Sequence, residues 1–276
     1  MNRIDTTLAR LKAQNKKMLS PYITAGDPNP GMTVQLMHHL VQAGADILEL
    51  GIPFSDPMAE GPVIQHAMER ALNYGVTIHH VLAMVKEFRQ QDTKTPVVVM
   101  GYLNPIEQYG YELFAEHAIS AGVDGTILVD LPPEEAEHVC SIWKNQDLYC
   151  IFLCSPTTSN ERMVLINEQA NGYLYYVSLK GVTGSDAPDI TSLQTQYKFR
   201  KAQTPLPLMV GFGIKTPKMA AEVAEFADGV IVGAALITQI LEAYELNKNA
   251  IEAGASLMNS MRQAIDNNGK NNDRIN

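Results

Sequence analysis

Apolar residues fall along this chain in short dense runs, separated by stretches in which they recur every three or four positions. The runs lie at 18–23 (MLSPYI), 45–51 (ADILELG), 96–102 (PVVVMGY) and 125–130 (GTILVD), then at 150–155 (CIFLCS), 173–179 (YLYYVSL), 207–213 (PLMVGFG) and 229–235 (GVIVGAA). They are short and mostly rich in β-branched residues, which predicts strands. Several are apolar almost throughout, as strands buried on both faces of a parallel sheet should be. Between them, segments such as TVQLMHHLVQAGA, YELFAEHAISAG and PEEAEHVCSIWKNQ keep the helical period. The tetrapeptides AGAD and AGVD read as helix C-caps that lead straight into the next strand.

Eight strands joined by helical crossovers, with a closing helix, predict an α/β fold: a (β/α)8 TIM barrel. An open doubly wound sheet is the alternative. The even spacing of the units, without a Gly-rich dinucleotide turn, favours closure. The segment RIDTTLARLKAQN predicts an extra N-terminal helix under the barrel. No linker divides the chain, so the expected organisation is a single barrel domain over 1–266. The tail, 267–276, is too poor in apolar residues to pack and is expected to be disordered.

The 276 residues are enough for one such barrel, and 46% hydrophobic content fills its core without staples. The net charge of −9 is spread along the chain with bases interspersed. It excludes a nucleic-acid or anionic-membrane surface, which requires a clustered basic face. No run approaches the roughly 18 apolar residues of a membrane span, and the N-terminus lacks a signal-peptide core, so a cytoplasmic location is expected. Cys140, Cys150 and Cys154 form no CxxC pair and read as buried thiols. The adjacent pairs His38–His39 and His79–His80 diverge on a helix, so no metal is expected.

Candidate chemistry concentrates in ELGIPFSDPMAEGP, residues 49–62, where Glu49, Asp56 and Glu60 stand among prolines and glycines. Barrel chemistry sits at the C-terminal ends of the strands, and Glu49 falls near the end of the second, on the inward face with Ile47. An interior Glu is either ion-paired or functional, because apolar surroundings penalise its charged form and raise its pKa. Late in the chain, KGVTGS, VGFGIKTP and VGAALIT place Gly-rich turns after the last three strands. Freed backbone N–H groups at a helix N-terminus bind phosphate without a basic side chain, and barrels often do this after strands seven and eight.

In combination and in order, PYITAGDP, ADILELGIPFSDPMAEGPVIQ, YLNPI, DLPPEE, GVTG and GFGI make the chain resemble the alpha subunits of tryptophan synthase, from about Arg3 to Ala264. The resemblance implies a lyase that cleaves 1-C-(indol-3-yl)glycerol 3-phosphate to indole and glyceraldehyde 3-phosphate. By position, Glu49 matches the proton-transfer residue, Glu60 the carboxylate at the indole nitrogen, and Tyr175 a tyrosine beside the reacting substrate. The indole slot and its surroundings match Tyr22, Thr24, Met100, Tyr102, Ile127, Val129, Leu153, Thr183 and Phe212, with Thr183 in a lid loop. Gly184, Gly213, Gly233 and Ala234 match the phosphate site. Pro53, Asp56, Asn104, Asp130 and Pro132 match the face that meets the beta subunit in an α2β2 heterotetramer. Pyridoxal phosphate is expected on that partner, and no cofactor on this chain. The pattern departs at position 60, where the family has Asp, at Leu179, where some members have Arg, and at Ala234, where others have Ser. These departures keep a second reading open, a weakly active or non-catalytic activator of the beta subunit.

Overall fold

The computed structural model describes residues 2–178, 190–211 and 213–272, with side chains to 267. The strands are β1 (Met18–Thr24), β2 (Leu48–Gly51), β3 (Val97–Gly101), β4 (Gly125–Leu128), β5 (Tyr149–Ile151), β6 (Leu153–Cys154), β7 (Leu174–Val177), β8 (Leu208–Gly211) and β9 (Gly229–Val232). The helices are α1 (Arg3–Ala13), α2 (Thr33–Gln42), α3 (Pro62–Asn73), α4 (Ile78–Phe88), α5 (Leu103–Tyr109), α6 (Tyr111–Ala121), α7 (Glu137–Lys144), α8 (Asn160–Gln169), α9 (Ile190–Lys201), α10 (Pro217–Ala224), α11 (Ala234–Glu245) and α12 (Ala250–Asn272).

All described strand pairs are parallel, in the order β5-β4-β3-β2-β1-β9-β8-β7-β6. The two ends of that row are consecutive in the chain, separated only by Phe152. The predicted fifth strand is therefore one strand interrupted. Its first half pairs with β4, its second with β7, and the sheet closes into a barrel. The Phe152 carbonyl still accepts the Tyr175 N–H at 2.9 Å, so the break leaves no gap in the hydrogen bonding.

Two apolar layers result. Side chains that point outward from the strands pack under the helices, while Ile4, Met18, Tyr22, Ile47, Val98, Ile127, Tyr173, Met209 and Ile231 fill the barrel. Helix α1 does cap the bottom, with Ile4 buried in the interior and Asn2 capping the helix through the Ile4 N–H. The predicted C-caps are present. Gly44 and Gly122 adopt φ of +103° and +93°, the left-handed backbone that glycine reaches without a Cβ penalty.

Most strands are a residue or more shorter than the apolar runs, and two boundaries shift in a way that bears on the site or the tail. The last strand ends at Val232 rather than 235, because Gly233 becomes the N-cap of α11 and Ala234 its first residue. Helix α12 continues to Asn272, into the segment expected as a disordered tail. Once Met258, Met261 and Ile265 anchor that helix against the core, each further turn adds a hydrogen bond per residue without new nucleation. Among the described residues, no helix is long and apolar enough to cross a membrane.

Candidate active site

The C-terminal ends of β1, β3, β7 and β9 open onto a cavity of about 520 Å³. Tyr22, Met100, Tyr175 and Ile231 line it from the barrel, and Val63 and Ile64 from α3. At its other end lie Gly213, Gly233 and Ala234. One end is apolar and the other presents backbone. Helix α11 starts there with a glycine N-cap and no side-chain cap, so its first-turn amides are left for a ligand. Gly213 reaches this position through a φ of +85°, with nothing within 4 Å of where a Cβ would stand.

Two glycines make room for the aromatic walls. A Cβ on Gly51 would overlap the Tyr22 phenol, and one on Gly211 would overlap the Tyr175 ring. Thr24 supports the first of these, its hydroxyl 3.3 Å from the Tyr22 hydroxyl. Tyr102 has a different duty. Its hydroxyl accepts the Ala59 N–H at 3.1 Å and its ring stacks on Phe54 at 5.1 Å, pinning the loop that carries Glu60. The same loop is tightened by the Glu60 N–H on the Pro57 carbonyl and by Gln65 Nε2, which donates to the Glu60 carbonyl at 2.9 Å. The stiffness of residues 52–61 thus has a geometric result: it holds the Glu60 carboxyl at the cavity wall.

Glu49 lies beneath that wall, fully buried in register with Tyr22 on β1 and Val98 on β3. Its Oε1 accepts the Tyr173 hydroxyl at 2.8 Å, while Oε2 has no hydrogen-bond partner among the described residues. The nearby Ser20 hydroxyl donates to the Ile47 carbonyl, 3.2 Å away. Burial pushes the Glu49 carboxyl up to about 8, opposed by the Tyr173 and Ser20 hydroxyls and raised further by the charge of Glu60. Burial likewise pushes Glu60 up to about 7. Among the described residues no cation shifts either group. The site therefore contains two carboxyls that exchange protons near neutrality, which is the range in which acid–base catalysis is most effective.

The other predicted residues are distributed around this centre. Ile127 fills the barrel interior, in one cluster with Tyr22, Met100 and Ile231, which line the cavity. Val129 and Leu153 pack against the same interior cluster and also line a cleft of about 200 Å³ with Asp130, Pro132, Thr158 and Arg162. The Asp130 carboxylate accepts the Leu103 N–H at 2.7 Å and so fixes the start of α5, next to exposed Asn104. Asp56 is exposed with its carboxylate on the Ser55 hydroxyl, beside Met58, which is 80% exposed; Pro53 is buried below them. Thr183, Gly184 and Phe212, like Leu179, lie outside the described residues. Sequence reasoning missed Tyr173, although its alternation with Tyr175 on one strand face was a usable signal, and it missed Lys215, which lines the cavity just past Gly213. Among the described residues no group of three or more His, Cys, Asp or Glu is arranged to hold a metal ion.

Comparison with known proteins identifies the family and the fold. The family model described as tryptophan synthase alpha chain matches residues 8–266. A tryptophan synthase alpha chain of Legionella pneumophila (strain Lens) is 71% identical over 269 residues, 98% of this chain and 99% of that one. One from Marinobacter nauticus is 52% identical, over 96% of this chain and 98% of its own. Among solved structures, the alpha subunit from Legionella pneumophila str. Paris superimposes with a TM-score of 0.93 at 68% identity, covering 97% of this chain and 99% of its own. Tryptophan synthase from M. tuberculosis gives 0.85 at 31% identity, covering 96% and 99%. With the matching region spanning nearly its whole length, this chain belongs to the tryptophan synthase alpha chain family.

Proposed function

We propose that this chain performs the lyase half-reaction of tryptophan synthase in the cavity above Glu49, cleaving 1-C-(indol-3-yl)glycerol 3-phosphate to indole and glyceraldehyde 3-phosphate. The observation that carries this reading is a buried carboxyl with its pKa raised to about 8, under an apolar cavity that ends in exposed backbone amides. The apolar end suits an indole and the amide end a phosphate.

In this reading Glu49, protonated at neutral pH, donates its proton to C3 of the indole and leaves an indoleninium. The resulting carboxylate then takes the proton of the adjacent glycerol hydroxyl. The O–H electrons form the aldehyde C=O, and the C–C bond electrons return to the indole ring. Glu60, ionised, faces the indole N–H and stabilises the positive charge while it exists. Tyr175 stands beside the reacting carbon, and Tyr22 and Met100 hold the ring. Gly213, Gly233 and Ala234 take the phosphate through backbone N–H groups. To reach the substrate the Glu49 carboxyl must turn away from Tyr173, an exchange of one hydrogen bond for another. Such a turn is within reach of a side chain whose second oxygen has no partner among the described residues.

The partner of the reaction is a tryptophan synthase beta chain in an α2β2 assembly, with pyridoxal phosphate on the beta chain. Asp56, Asn104, Asp130 and Pro132, with buried Pro53 behind them, form the docking face, and the cleft of Val129 and Leu153 opens on it. The test is indole release from the phosphate substrate, measured on the purified chain alone and with a beta chain. Release in either condition, stimulated by the partner, is expected. If the chain only accelerates the beta reaction and releases no indole, the activator reading replaces this one.

A further inference from the structure

Two residues past Gly213, Lys215 lines the same cavity as Gly213, Gly233 and Ala234. Among the described residues that line it, Lys215 is the one cation; the other charged groups are Glu60 and Glu242. Its backbone is held on both sides. The left-handed turn at Gly213 precedes it, Ile214 is buried, and Thr216 caps α10 through the Met219 N–H at 3.2 Å. The lysine side chain is exposed, and among the described residues its ammonium has no ion-pair or hydrogen-bond partner. A positioned backbone thus carries an uncommitted positive charge beside neutral amide donors.

We propose that Lys215 is a phosphate-selecting residue, whose ammonium supplies the net charge that the backbone amides at Gly213, Gly233 and Ala234 lack. This inference rests on the function proposed above. The chain carries a net charge of −9, and two carboxyls already line the cavity, so a phosphate dianion approaches against repulsion. Amide dipoles give direction over short distances, whereas a full charge at the mouth draws the anion from farther away and favours it once bound. Ala234 contributes no hydroxyl at this end, which leaves more of the binding to charge.

The division of labour predicts a particular pattern. Lys215→Met raises KM for the indole glycerol phosphate about tenfold, as expected for loss of a charge-assisted contact, and leaves kcat within about twofold. Lys215→Arg restores most of the affinity, and Lys215→Glu weakens it further. Raising the salt concentration increases KM of the parent but barely changes that of Lys215→Met. Inhibition by free indole, which carries no charge, is the same in all four proteins. A general distortion of the site would shift indole inhibition as well.

A calorimetric titration with glycerol 3-phosphate provides a readout that needs no turnover. The parent binds more tightly than Lys215→Met, and the difference shrinks with salt. Equal binding and equal salt dependence in the two proteins overturn the role of Lys215, whatever the parent's activity. Absence of indole release from the parent, with glycerol 3-phosphate still bound through Lys215, overturns the proposed reaction instead and leaves an anion site.

Discussion

The two ends of the barrel treat acidic residues in opposite ways. At the bottom, Asp46, Asp124 and Asp228 each stand just before a strand and accept an N–H from the first two residues of the neighbouring one. They take Leu19 at 3.2 Å, Val97 at 2.8 Å and Leu208 at 2.8 Å. Each also meets cations: Asp46 pairs with Arg10 and Arg262, Asp124 with Arg3 and Arg89, and Asp228 with Lys201. Burial pushes the Asp46 and Asp124 carboxyls up, and the arginines and backbone donors pull them back. At the top, Glu49 has one tyrosine hydroxyl and Glu60 no cation among the described residues, and burial carries them to about 8 and about 7. Asp46 and Asp124 tie strands to the terminal helices α1 and α12, and Asp228 ties its strand to the end of α9. The top acids are left free to change their protonation. What separates a structural carboxylate from a catalytic one in this fold is the presence of a paired cation.

The sharpest way to break this contrast is to remove the proton-transfer group. Glu49→Gln should lower indole release by at least about 10²-fold, the low end of what acid–base groups contribute, while glycerol 3-phosphate binding survives. The same change should stabilise the fold at alkaline pH. The Glu49 pKa rises on folding from its ordinary 4.5 to about 8, so the folded protein keeps a proton that the unfolded chain has lost. Stability therefore falls as pH rises through that window, and Gln escapes the loss. Denaturant titrations of the two proteins should agree below pH 4.5 and diverge by up to a few kcal/mol above pH 8. A loss of activity under tenfold, or no divergence, would reject the role given to Glu49.

At the bottom, Asp124→Ala should act on stability alone. It strands the buried Arg89, whose side chain is 9% exposed, and leaves the Val97 N–H unpaired. A loss of about 3–5 kcal/mol is expected, with kcat of the folded fraction unchanged. An altered kcat would show that the two ends are coupled.

Glu60 comes next. Glu60→Ala should cost about 10²-fold in kcat, since the transient indole charge would have no counterpart in an apolar slot. Glu60→Asp keeps the acid and should retain activity within tenfold. The pH–rate profile of the parent should be a bell between about 7 and about 8. It rises as Glu60 ionises and falls as Glu49 loses its proton, with the two limbs belonging to the coupled pair. Glu60→Gln should flatten the acidic limb, and an unchanged limb would remove Glu60 from the mechanism. The smallest effect is expected from Ala234→Ser, which adds one hydroxyl at the start of α11 and should change substrate affinity by no more than about 1.5 kcal/mol.

Much of this protein is determined by its sequence alone. Strand runs, helical period and the capping glycines at 44 and 122 are local properties, set by backbone sterics and side-chain alternation over a few residues. They suffice for the barrel, and they place Glu49 on an inward face and Glu60 on a stiff loop. What the tertiary structure decided is which groups meet. Closure splits the fifth strand at Phe152 and packs Val129 and Leu153 against the barrel interior, where they also line a cleft beside Asp130. It brings Tyr173 to Glu49 across 124 positions of chain, and Arg262 to Asp46 across 216. It also leaves Lys215 facing the cavity with no partner among the described residues. Periodicity reports the face a residue occupies, but a pKa or a binding role depends on neighbours that only the closed barrel brings within a few ångströms.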